Sequence, residues 1–208
     1  LVYGLYRMNT LFEYILFFLQ ILFLSVFISG CGFLLKKAIF KGDNDKSFEE
    51  NGLYGFILIS FISLLTNFFF PLSTLINTII FIILLLMIIK YDFFKQSKIK
   101  LLKYSLLIAL LSFILIVHAN VNNPDALLYH LPYSKIINEN KIIIGIANVH
   151  HRFAHISIFQ YISSFFNNIF FNEKGLLIPI SILTSFFFLY LYRQYNSLFK
   201  KEIYRASS

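Results

Sequence analysis

Apolar residues in this chain come in long blocks separated by polar stretches, and the block lengths predict the elements. A helix crossing a hydrocarbon core of about 30 Å needs roughly 17–25 apolar residues. Five blocks meet that length: Leu11 to Leu35, Leu53 to Phe70, Leu72 to Ile89, Leu101 to Val117 and Leu176 to Tyr192. Asn67, Pro71 and Ser73 interrupt a run too long for one helix, so a tight hairpin of two spans is predicted there.

The stretch between the fourth and fifth spans follows another pattern. Asn123, Pro124 and Asp125 read as a helix start, with an N-cap amide, a proline in the first helical position and an acid in the first turn. A short helix is predicted from Pro124 to about Leu131, with Asp125 and Tyr129 on one face. Pro132 starts a second short helix toward Asn138, and Lys141 to Ile146, with Gly145 inside it, predicts an extended connector. From Ala154 to Phe171, Gln160, Ser163, Ser164, Asn167 and Asn168 recur at helical spacing with Ile158, Ile162, Phe165 and Phe166 between them. That two-sided pattern predicts an amphipathic helix lying in the membrane interface or against the bundle. The expected fold class is all-α: a polytopic transmembrane helix bundle, one membrane domain over residues 1–208, with an extracytoplasmic loop, 118–175, of short surface-lying helices.

Composition agrees, with 58% hydrophobic residues, 13% charged residues and a mean hydropathy of +0.74; soluble chains carry about a quarter charged residues. Charge then orients the spans. Lys36, Lys37, Lys41 and Lys46 follow the first span, Lys90, Lys95, Lys98, Lys100 and Lys103 separate the third and fourth, and Arg193, Lys200, Lys201 and Arg205 follow the fifth. Under the positive-inside rule these Lys-rich stretches are cytoplasmic, and the N-terminus, the Pro71 turn and the 118–175 loop face outward. The net charge of +8 is spread along span ends, so no nucleic-acid partner is expected; the partner is the lipid bilayer. With no Trp, the interfacial belt falls to tyrosines such as Tyr91, Tyr104, Tyr190 and Tyr192.

The lone Cys31 permits no internal disulfide. Ile28, Ser29, Gly30 and Cys31 resemble the pattern read by lipoprotein signal peptidase, but the apolar run continues to Leu35 and Glu13 stands where a basic region belongs, so a span is favoured. Leu1 rather than a methionine opens the chain, and Met8 is its first methionine, which fits a piece of a longer multi-span protein.

Candidate chemistry is concentrated in the outer loop. All five histidines, His118, His130, His150, His151 and His155, fall there or at its edge, alongside Asp125, Tyr129, Asn148 and Arg152. His151 and His155 are four apart and on a continuous helix would share a face. With His130 or Asp125 they could bind a divalent metal, although no Cys or Glu accompanies them. No cofactor is otherwise expected. No span carries an acid–base pair at mid-depth, since Glu13 lies near an end, which argues against ion coupling. A non-catalytic scaffold or transporter fragment is the bland alternative.

Two motifs point further. Asp125 to Pro132 (Asp-Ala-Leu-Leu-Tyr-His-Leu-Pro) and Gly145 to Ser157 (Gly-Ile-Ala-Asn-Val-His-His-Arg-Phe-Ala-His-Ile-Ser) resemble the Asp-x-x-x-Tyr-His-x-Pro and Gly-x-x-Asn-x-His-x-Arg-x-x-x-x-Ser patterns of bacterial multi-span proteins related to the GT-C class of membrane glycosyltransferases. The resemblance implies a polyprenyl-phosphate sugar as lipid-linked donor and a glycan or lipid acceptor at the outer face of the bacterial inner membrane. It implies Asp125 as general base, Arg152 and His150 stabilising the leaving phosphate, and Tyr129, His130, Asn148 and Ser157 binding substrate. His151, Ala154 and His155 depart from the small or amide residues expected at their positions, and the chain has fewer spans than complete enzymes of the class.

Overall fold

A computed structural model describes residues 11–40, 47–91, 93–95, 98–118, 130–148, 151–154 and 157–206. Among them there is no strand, and seven α-helices carry the fold: α1 (Leu11–Ile39), α2 (Phe48–Phe69), α3 (Thr74–Lys90), α4 (Lys98–His118), α5 (Leu131–Glu139), α6 (Ile158–Phe166) and α7 (Ile178–Ala206). The chain is an all-α bundle. Four of its apolar stretches, Leu11–Ile39, Phe48–Phe69, Ile99–His118 and Lys174–Phe199, are long and apolar enough to cross a membrane. It is a multi-pass membrane protein. The apolar α3 has 17 residues, or about 25 Å at 1.5 Å per residue.

Local chemistry sets the helix boundaries. Ser47 precedes α2 in an extended conformation, and Glu49 and Glu50 occupy the first turn, where carboxylates are favoured by the positive end of the helix dipole. At the other end Phe70 is extended ahead of Pro71, and Ser73 caps α3 by accepting from the Ile76 amide at 3.4 Å.

The long helices pack closely because small residues line their contacts. A side chain at Gly32 would collide with the Asn51 carbonyl, and one at Gly55 with the Ile28 carbonyl, so the α1 and α2 backbones approach as only glycine allows. Gly52 makes room for Phe186 of α7, and Gly30 for Ile88 of α3. Aromatic rings fill the middle: Phe27 stacks on Phe81 with centroids 4.1 Å apart, and Phe166, Phe170 and Phe171 close around that pair. The Ser112 and Ser185 hydroxyls, 2.9 Å apart, join α4 to α7.

The bundle has two chemically different ends. At one, Lys36 of α1 pairs with Glu50 at 3.4 Å, Arg193 of α7 pairs with Glu49 at 2.6 Å, and the Lys37 ammonium lies 4.9 Å from the Tyr91 ring centroid. At the other, the α2–α3 turn meets α5 and α6 around a small second core of Leu72, Tyr133, Ile137, Ile146 and Tyr161. This cap positions the candidate site.

Two expectations about the loop change. The two-sided helix expected over 154–171 is only Ile158–Phe166, and its polar side does not face water. Gln160, Ser163 and Ser164 are buried along with Tyr161, Ile162, Phe165 and Phe166; Ser164 donates to the Ser134 carbonyl of α5, and Gln160 reaches His130. The connector expected to be extended through Ile146 instead turns at Gly145, whose φ of 82° suits glycine, and continues as a 3-10 turn over Ile146–Asn148.

Candidate functional site

The cap is held to the bundle by asparagine side chains. Asn67, near the end of α2, donates to the carbonyls of Ile137 at 3.3 Å and Asn140 at 3.0 Å. Asn77, in the first turns of α3, donates to Leu72, Ser164 and Asn167 at 2.7, 2.8 and 3.0 Å. Asn138 of α5 reaches the same Leu72 and Ser164 carbonyls at 2.6 and 3.0 Å, and its own side-chain oxygen accepts from Asn167 at 3.1 Å. Buried carbonyls at helix ends need donors. Here amides from three different elements supply them.

On this platform Ser157 and His130 are linked through Gln160. Ser157 caps α6, its hydroxyl accepting from the Phe159 amide at 3.3 Å, while the Ser157 amide donates to Gln160 Oε1 at 3.1 Å, completing a capping box. That bond orients the Gln160 amide. Its Nε2, which can only donate, lies 3.3 Å from His130 Nδ1. His130 Nδ1 is therefore the acceptor, and the neutral ring carries its proton on Nε2. His130 is exposed and stands at the N-cap of α5, ahead of Pro132.

The polar cluster is tied to the same platform from above. The 3-10 turns Ile146–Asn148 and His151–Ala154 pack together. Phe153 lies on Tyr133 of α5 with centroids 5.6 Å apart, and Ile146 enters the small core beside Tyr133 and Tyr161. Burial pushes the Tyr133 hydroxyl well above its ordinary range, and Tyr161 raises it further by charge and by hydrogen bonding. The Tyr161 hydroxyl is also raised by burial, against a lowering from its hydrogen bond with Tyr133.

Of the residues singled out by sequence, the structure brings His130 and Ser157 together through Gln160. It sets Asn148, His151 and the backbone of Arg152 on turns anchored to the same two short helices. Ser157 serves as a helix cap, and Asn148 and His151 are exposed. Asp125, Tyr129, His150 and His155 lie outside the described residues, as does the Arg152 side chain. Among the described residues no three His, Cys, Asp or Glu gather as a metal site.

Sequence reasoning gave no site role to Gln160, Tyr133, Tyr161, Asn77 or Asn138. Signals for some of them existed: Ser157-Ile-Phe-Gln160 is a capping-box pattern ahead of an apolar run, and an amide such as Asn77 inside an apolar block is costly unless it is bonded. The tyrosine pair had no local signal, since its partners come from different helices.

No curated protein and no solved structure matches the chain. A family profile matches residues 14–206, nearly its whole length, and the chain belongs to that family, the domain of unknown function DUF8201.

Proposed function

We propose that this chain is part of a bacterial plasma-membrane glycosyltransferase that moves a sugar from a polyprenyl-phosphate donor to an extracytoplasmic acceptor. One observation supports the reading most: the cap of α5, α6 and two 3-10 turns, pinned to the α2–α3 turn, gathers His130, Asn148, Ser157 and the Arg152 backbone at one end of a membrane bundle. A lipid-linked phosphate stands at that level. The Lys-rich end of the bundle is then cytoplasmic and the cap extracytoplasmic.

In this mechanism an acceptor hydroxyl attacks the anomeric carbon while the bond from that carbon to the phosphate oxygen breaks. Asp125 takes the hydroxyl proton as general base. The departing lipid phosphate keeps the electron pair and needs charge stabilisation more than protonation. Arg152 offers its planar fork of donors, His150 assists, and the Nε2–H of His130, held in that tautomer by Gln160, donates a further hydrogen bond. The reaction needs no redox partner.

The test is transfer of radiolabelled sugar from a polyprenyl-phosphate donor in membranes containing the protein. Asp125→Asn is expected to lower the rate by about 10²–10⁴, with an unchanged amount of protein in the membrane. A normal yield of glycosylated product from that variant rejects the general-base assignment.

A further inference from the structure

The connector after α5 carries two large apolar side chains outside any spanning helix. Ile144 is 96% exposed and Ile143 is also exposed, both immediately before Gly145, which turns the chain at positive φ. In water such a tip would be an anomaly, because soluble surfaces seldom carry adjoining bare isoleucines.

Its position along the bundle explains it. The backbone of 137–142 runs antiparallel to that of 67–72: the Leu72 amide donates to the Ile137 carbonyl, and the Ile142 amide donates to the Asn67 carbonyl, both at 3.0 Å. Asn67 is buried and bonds the Asn140 carbonyl at 3.0 Å, which fixes the same register through a side chain. The tip therefore leaves the bundle at the depth of the last turn of α2. That turn ends a helix of 22 residues, about 33 Å long and so close to the thickness of the hydrocarbon core. Phe68, Phe69 and Phe70, enclosed between the two backbone bonds, are all exposed.

We infer that Ile143 and Ile144 form a wedge that enters the bilayer at the cap end of the bundle, continuing the lipid-facing surface of α2 through Phe68–Phe70. Its occupant is bilayer lipid at the boundary between headgroups and acyl chains. Lys141, exposed just ahead of the wedge, keeps its ammonium at headgroup level, as lysines beside apolar anchors do. The cap is then held to the membrane surface at a point separate from the spans.

Spin labelling tests this without reference to catalysis. Cys31 is the chain's one cysteine and is fully buried, so a cysteine introduced at an exposed position can be labelled selectively. Ile144→Cys, Phe69→Cys and Lys135→Cys are labelled in the full chain and reconstituted into phosphatidylcholine–phosphatidylglycerol vesicles. Collision with oxygen, which concentrates in lipid, is compared with collision with a water-soluble nickel chelate. The label at 144 is expected to shift with that at 69, favouring oxygen, and opposite to that at 135 on the exposed side of α5. Preference for the nickel chelate at 144 would place the tip in water and overturn the inference. Protection from both agents would mean that protein covers the tip, and would equally overturn it.

Discussion

His130 is held by an amide that is itself held by a helix cap. Gln160 cannot turn its Nε2 away from the ring without breaking the bond between its Oε1 and the Ser157 amide, so a capping interaction common to many helices selects one histidine tautomer. Motif spacing could nominate His130 and Ser157 but could not connect them, because the connecting residue belongs to neither motif. The tyrosine pair behind them makes a measurable prediction. Both hydroxyls have pKa values raised by burial above the ordinary 10.0, so their contribution to cap stability is complete below pH about 10 and is lost as pH rises through the folded values. Tyrosinate absorbance should show a late-ionising component that is lost in Tyr133→Phe/Tyr161→Phe. Ionisation of every tyrosine near its ordinary value would contradict the buried pair.

At the scale of elements, α6 behaves unlike an interfacial helix because its polar side has been paired rather than hydrated. Its two-sided pattern was legible, and so was a place against the bundle. The burial of both faces was not, since it depends on amides from α3 and α5 reaching its last carbonyls. Asn77 and Asn138 donate to the same two acceptors, the carbonyls of Leu72 and Ser164. Either amide alone still satisfies each carbonyl. Asn77→Leu and Asn138→Ala should each cost about 1 kcal/mol, whereas the double variant orphans the buried Leu72 carbonyl at about 1–3 kcal/mol, the Ser164 carbonyl keeping the Asn167 amide, and should lose more than the sum. Unfolding in detergent, with hydrogen exchange over 158–168 as the local readout, measures the coupling. Additive losses would mean that the two amides act independently.

The whole molecule is a bundle with one end tied by charge and the other closed by a folded cap. Lys36 and Arg193 meet Glu50 and Glu49 at the first end, and amides clasp the second. The two ends differ chemically, and this makes the proposed sidedness testable. A membrane-impermeant maleimide applied to intact cells should label Lys135→Cys on the cap. It should reach Lys100→Cys, at the start of α4, only after the membrane is opened. The reverse pattern would invert the proposed orientation and move the candidate site to the cytoplasmic face.

Block length and hydropathy by themselves determined that this is a membrane-spanning helical protein, and Asn67, Pro71 and Ser73 marked where α2 gives way to α3, because the cost of unbonded backbone in lipid leaves helices as the answer for long apolar runs. Local rules likewise placed the start of α5 beside Pro132. Tertiary structure alone decided that the loop folds into a cap pinned to the α2–α3 turn, that Gln160 joins His130 to the α6 cap, and that Ile144 leaves the bundle at the edge of the hydrocarbon. Each of those outcomes joins residues tens of positions apart through side-chain amides or backbone bonds, and no periodicity along the chain records which distant carbonyl an asparagine will find.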